Sequence, residues 1–98
     1  MKKEEFKGWH GADTPAPRLW VSDGNANYLL HWTSVCHVTA DQMFTEVTFS
    51  SESGFFILRS RESLKDLFEA IQAEKVRKIE PCGLLKVVFV EPKEKGGG

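Results

Sequence analysis

Only one stretch of this chain repeats its apolar residues with a helical period. In "SLKDLFEAIQAEK", residues 63–75, Leu64, Leu67, Phe68 and Ile71 fall at i, i+3, i+4 and i+7. That spacing makes one apolar stripe on a helix of about residues 64–74. Elsewhere the apolar residues come in short runs, broken by Gly, Pro, Asn, Asp or Ser. A parallel, doubly wound sheet needs a helical crossover between successive strands. One helix in 98 residues does not supply them.

The short runs read as strands. "RLWVS" and "YLLHW" flank the turn signal Asp23-Gly24, and "CHVT" follows after a break at "TSV". "FTEVTFS" alternates, with Thr45, Val47 and Phe49 on one face and Glu46 and Thr48 on the other. "SESG" gives a hairpin loop with Gly54 free to take a positive φ. "FFILR" is apolar on both faces, which predicts a central strand or one covered by the helix. After the helix, "VRKIE" and "LLKVVFV" read as a last hairpin turned at Pro81-Cys82-Gly83. Ser63 and Asp66 have capping-box spacing at the helix start, and Lys75 suits the dipole at its end.

The expected fold class is α+β, mostly β. It is a curved antiparallel sheet of five to seven strands with the one helix packed on one face. The expected core is Leu19, Val21, Leu29, Val35, Val38, Val47, Phe49, Ile57, Leu67, Phe68, Ile71, Val87 and Phe89. Residues 1–17 read as a leader, partly ordered at best, because Pro15 and Pro17 forbid a helix and favour extended backbone. Phe6 and Trp9, three apart, suit a short helical turn or a docking anchor. Residues 18–91 form the single expected domain, and "PKEKGGG", 92–98, a disordered tail.

Thirteen basic and fourteen acidic side chains leave a net charge of −1, against wholesale polyanion binding. No apolar run follows the N-terminal lysines, and none approaches the ~20 residues of a membrane span. The two cysteines, Cys36 and Cys82, fit no C-x-x-C spacing. Cytoplasm, with reduced thiols and no membrane, is the expected setting.

The chemistry-bearing residues do not assemble into a known pattern. His10, His31, Cys36, His37 and Cys82 are the nitrogen and sulfur ligands, without the two close pairs of a structural zinc site. Strand alternation sends adjacent Cys36 and His37 to opposite faces. Ser34 lies in no G-x-S-x-G elbow, and no P-loop or dinucleotide fingerprint is present. The expectation is a non-enzyme without catalytic residues, metal or cofactor.

Binding remains. The runs at "FFIL" and "VVFV" hold more apolar surface than one small helix covers, and a surplus apolar face is an interface. A protein partner or a second copy of the chain is therefore the first expectation. His31, Trp32, His37, Trp20 and Tyr28 are the candidate residues for a partner or ligand surface. Arg59 and Arg61 precede the helix, and Arg77 and Lys78 follow it. They are the candidates for an alternative, nucleic-acid-binding regulator. A second alternative is a small-ligand binder, for a nucleotide or other anion, near the tryptophans.

The segment "YLLHWTSVCHVTADQMFTEVTFSSESGFFILRSRESLKDLFEAI", about residues 28–71, resembles the short FlbD-type flagellar-operon proteins. The likeness rests on a corner at Thr33-Ser34-Val35 and a helix opening at Glu62-Ser63-Leu64-Lys65-Asp66. The LytTR DNA-binding domains share the layout of sheet, hairpin and helix. The resemblance implies the fold and no chemistry. Where LytTR domains place an arginine-histidine-serine-asparagine type strand against DNA, this chain reads "KVRKIEPCGLLKVV".

Overall fold

A computed structural model describes residues 7–91. Eight strands and one α-helix follow in the order β1 (Trp9–Gly11), β2 (Leu19–Ser22), β3 (Asn27–Leu30), β4 (Cys36–Ala40), β5 (Glu46–Ser50), β6 (Phe55–Ser60), α1 (Lys65–Gln72), β7 (Val76–Ile79) and β8 (Leu85–Val90). A 3₁₀ turn, Trp32–Ser34, separates β3 from β4. The chain is α+β and mostly β. The strands divide into two sheets of four, β1-β7-β2-β3 and β4-β5-β6-β8, rather than one curved sheet. Pairing is antiparallel except between β2 and β7.

The expected last hairpin does not form. β7 pairs with β1 and β2 in the first sheet, while β8 pairs with β6 in the second. Pro81-Cys82-Gly83 therefore carries the chain from one sheet to the other. The helix makes the opposite passage, from β6 to β7. Structure also begins before Arg18. β1 lies where a helical turn was an option for Trp9, and Phe6 lies outside the described residues. Backbone N–H groups of Ala12 and Ala16 donate to the carbonyls of Lys75 and Glu74, both at 2.9 Å. The tail 92–98 lies outside the described residues too.

The turns follow their residues. Asp23 Oδ1 accepts the backbone N–H groups of Asn25 and Ala26, each at 2.8 Å, closing the β2–β3 hairpin. These bonds hold its carboxyl below the usual carboxylate range. At the β5–β6 loop Gly54 has φ +150°, and a Cβ there would stand 2.6 Å from the Val90 carbonyl. Helix α1 has no side-chain cap. Leu64 occupies the N-cap, and Ser63 Oγ accepts the Lys65 N–H at 3.2 Å instead. Asp66 sits in the first turn as the dipole favours, but Lys75 falls beyond the last.

The two sheets share one core. Leu19, Val21, Leu30, Val76 and Ile79 of the first meet Val47, Phe49, Phe56 and Leu58 of the second, all fully buried. Each of the larger side chains contributes about 1.5–3 kcal/mol by leaving water. Leu64, Leu67 and Ile71 bring the helix into the same cluster. The Tyr28 ring bridges the sheets, its centroid 5.1 Å from Phe56 and 4.7 Å from Phe89. Two core expectations are wrong by one residue. Leu29 is 57% exposed while Leu30 is buried, and Ile57 is half-buried while Phe56 and Leu58 are inside. In each case the run is apolar on both faces, so composition cannot choose the face. Val35, Val38, Phe68 and Phe89 are partly buried against the core.

Candidate binding surfaces

Each sheet keeps one face outward. On the first, pairing sets His10 opposite Lys78, Lys78 opposite Trp20, and Trp20 opposite Leu29. Residues opposite one another project to the same side, so these four make a row across the sheet. Trp20 is 41% exposed yet held in place. Its Nε1–H donates to Asn27 Oδ1 at 2.9 Å, and the Lys78 ammonium lies 3.9 Å above its ring. Such a cation over an indole contributes roughly 0.5–1 kcal/mol at an exposed site. Glu80 anchors the row. It meets His10 Nε2 at 2.9 Å and Lys78 Nζ at 3.5 Å. The His10 hydrogen bond is the leading reason its pKa is lowered; burial opposes it, and the Lys78 charge adds to the lowering. Beside the row, Ala16, Pro17, Arg18, Trp20, Leu29 and Arg77 line a groove of about 510 Å³.

The outer face of the second sheet is apolar. Ser50, Phe55 and Val90 form one row, and Thr48, Ile57 and Val88 the next. Phe55, Val88 and Val90 are all exposed. The third row, Glu46, Arg59 and Lys86, is charged, with Arg59 Nε donating to Glu46 Oε2 at 2.8 Å. On its inner side β6 shares the core with the helix, since Phe56 and Leu58 join Leu64, Leu67 and Ile71 in one cluster. That strand is also central, between β5 and β8, as its apolar run predicts.

A third feature is a cavity of about 430 Å³ between α1 and the segment around β4. Trp32, Val35, Val38, Phe68 and Ile71 form its apolar wall, with Gln72 and Glu74 beside them. Trp32 is fixed there because its Nε1–H donates to the Ala16 carbonyl at 2.9 Å.

The residues expected to form one partner surface are thus dispersed. Trp20 faces out from the first sheet. Tyr28, on the other side of that sheet, is half-buried among core aromatics. Burial, then the Asp23 charge, raises its pKa. Trp32 lines the helix-side cavity, and His31 and His37 are exposed at the two ends of the "HWTSVCH" corner. The four cations expected to meet a phosphate backbone divide as well. Arg77 and Lys78 stand by Trp20, whereas Arg59 and Arg61 border a cavity of about 420 Å³ with Lys86 on the second sheet. Leu29 and Arg18, which complete the groove, were missed as site residues. For Leu29 the alternation through Trp20 and its partner strand held the signal.

One argument about Cys36 and His37 is also overturned. They do not alternate. His37 has φ +51°, and between the pairs Cys36–Ser50 and Thr39–Thr48 two residues stand opposite one, a β-bulge. Both side chains are exposed as a result. Even so, no group of three His, Cys, Asp or Glu residues able to hold a metal occurs among the described residues. Cys36 Sγ donates to the Ser34 carbonyl at 3.3 Å. Asp41 is engaged in a turn. Its carboxylate accepts the Thr45 hydroxyl at 2.6 Å and the backbone N–H groups of Thr45 and Glu46 at 2.7 and 2.9 Å. The Thr45 hydroxyl is the leading reason its pKa is lowered.

No family model, curated protein or solved structure matches the chain. Among the described residues no helix is long and apolar enough to cross a membrane.

Proposed function

We propose that this protein is a non-catalytic binding module that pairs with a second copy of itself through the outer face of the second sheet. The observation that carries this reading is the block of Phe55, Ile57, Val88 and Val90, aligned by strand register. Exposed Phe55, Val88 and Val90, with half-buried Ile57 among them, form in two adjacent rows the kind of patch that interfaces bury. The charged row beside them favours a second copy as occupant. Glu46 lies on β5 and Lys86 on β8, at opposite ends of the row. A two-fold axis along β6 sets Phe55, Ile57 and the Glu46-paired Arg59 against their own counterparts, and the Glu46 carboxylate of one copy over the Lys86 ammonium of the other. Self-complementarity of this kind is what an isologous interface requires. A net charge of −1 sets little repulsion against pairing. Both cysteines are thiols, which suits a cytoplasmic setting.

Light scattering on the full chain across a concentration series tests the reading. A dimer that dissociates on dilution is expected, and a strict monomer at high micromolar concentration rejects it.

The helix-side cavity supports a second reading, small-ligand binding. Its volume falls within the ~300–1,000 Å³ of ligand pockets. With an apolar wall and Glu74 beside it, the matching ligand is apolar and not anionic. A screen by melting temperature should respond to apolar compounds and not to nucleotides at this cavity, since a native-state ligand raises the transition. Wild-type response to neither class rejects this second reading.

A further inference from the structure

Among the described residues, the outer face of the first sheet combines a fixed aromatic ring with surrounding cations. Trp20 is exposed on an open sheet and restrained from two sides, by Asn27 and by Lys78. An exposed indole held in this way loses little conformational freedom when a ligand arrives. Arg18 and Arg77 line the groove that Trp20 and Leu29 floor. Glu80 is the carboxylate beside the row, and it is already engaged by His10 and Lys78. The floor of the groove is therefore aromatic and aliphatic, and the charged side chains among its lining residues are arginines.

We propose that this face binds single-stranded nucleic acid, with a base on the platform of Trp20 and Leu29 in the place the Lys78 ammonium now takes over the ring, and the adjoining phosphates at Arg18, Arg77 and the displaced Lys78. Base stacking on an aromatic side chain contributes about 1–3 kcal/mol, and arginine meets phosphate with a bidentate fork. A duplex fits less well, because its bases are stacked internally and cannot reach a flat sheet. The near-zero net charge of the whole chain is no obstacle. Arg18, Arg77 and Lys78 gather at this face, whereas the Glu46 and Asp41 carboxylates belong to the second sheet and its first turn, where Glu46 pairs with Arg59. This inference is independent of self-association, which uses the opposite side of the molecule.

The test uses the full chain and fluorescein-labelled twelve-nucleotide oligo(dT) and oligo(U), read by fluorescence anisotropy at low salt and then in rising salt. The expected result is saturable binding that weakens with salt and exceeds binding to a duplex of the same length. Trp20→Ala should weaken it about tenfold or more, the equivalent of one lost stacked base, and Trp20→Phe should recover most of the loss. Arg18→Ala and Arg77→Ala should each weaken binding and flatten its salt dependence. Arg61→Ala, on the other sheet, should leave it unchanged. Melting curves on each variant separate loss of contact from loss of fold.

Absence of binding by the wild-type chain at low salt overturns the proposal. So does an equal loss in Arg61→Ala and Arg77→Ala, or a duplex bound as well as a single strand. A polyglutamate peptide that competes at equal charge, with affinity insensitive to Trp20→Ala, would identify an acidic protein partner in place of nucleic acid.

Discussion

Trp20 on the first sheet and Phe55 on the second are both large and exposed on an outward face, yet their surroundings differ. Trp20 has an amide on its nitrogen and an ammonium on its ring. Phe55 stands in a row with Ser50 and Val90 and beside Ile57 and Val88, and the Ser50 hydroxyl turns to the Cys36 carbonyl. A ring held by directional contacts suits a ligand that must arrive in one orientation. An aliphatic and aromatic block suits broad packing, where area matters more than angle. The same sheet architecture thus carries two kinds of surface, and the core between them is common property.

That division can be broken at three levels. The largest effect belongs to the core. Leu67→Asp places an unpaired carboxylate among fully buried side chains, a cost of several kcal/mol against a total of roughly 5–15. It should abolish cooperative melting and both surface activities together. If it melts like the parent, the helix is not part of the core. Next, Leu30→Ala should cost about 2–5 kcal/mol by leaving a cavity. Its neighbour Leu29→Ala should cost under about 0.5 kcal/mol as a surface change. Denaturant titration of the two variants checks the register of β3, and equal losses would refute it. At the level of one face, Phe55→Glu should produce a monomer by light scattering while its melting temperature stays near that of the isolated wild-type protomer. Nucleic-acid binding should survive in it.

The smallest effect is one of pH. Asp23, Asp41 and Glu80 have lowered pKa values in the folded chain. A depressed carboxylate adds stability above its unfolded value, near 4, and loses it as pH falls through the folded value. The melting temperature should therefore drop as pH goes from 6 towards 3. Asp41→Asn, which removes the charge that Thr45 and Glu46 hydrogen-bond, should lower the neutral-pH transition slightly and flatten the acid slope. An acid slope identical to the parent's would show that Asp41 does not contribute.

The seven longer strands and the helix were legible because periodicity and turn residues are local properties. Val47 and Phe49 went to the core as their alternation demands. Three kinds of feature were not legible. β1 is three residues long and bounded by turn residues, so no period develops within it. The partner of β7 depends on which sheet the helix delivers it to, a matter of packing that "VRKIE" does not encode. The bulge at His37 needs φ +51°, a left-handed backbone uncommon outside glycine and absent from any regular strand, so alternation misplaced the Cys36-His37 pair. At the candidate surfaces, Trp20, Arg77 and Lys78 were each suspected for separate reasons. Their meeting was invisible because the parallel β2–β7 pairing that joins them crosses most of the chain.

The same crossing sets an order of events during synthesis. β1 has one partner strand, β7, and the contact between His10 and Glu80 spans 70 residues. At roughly 5–20 residues per second, the amino-terminal strand waits several seconds on the ribosome before its neighbour emerges. Through that interval Trp9 and the half-built first sheet stand open to whatever the nascent chain meets. The groove beside Trp20, whose walls come from both ends of the chain, is consequently among the last features to exist.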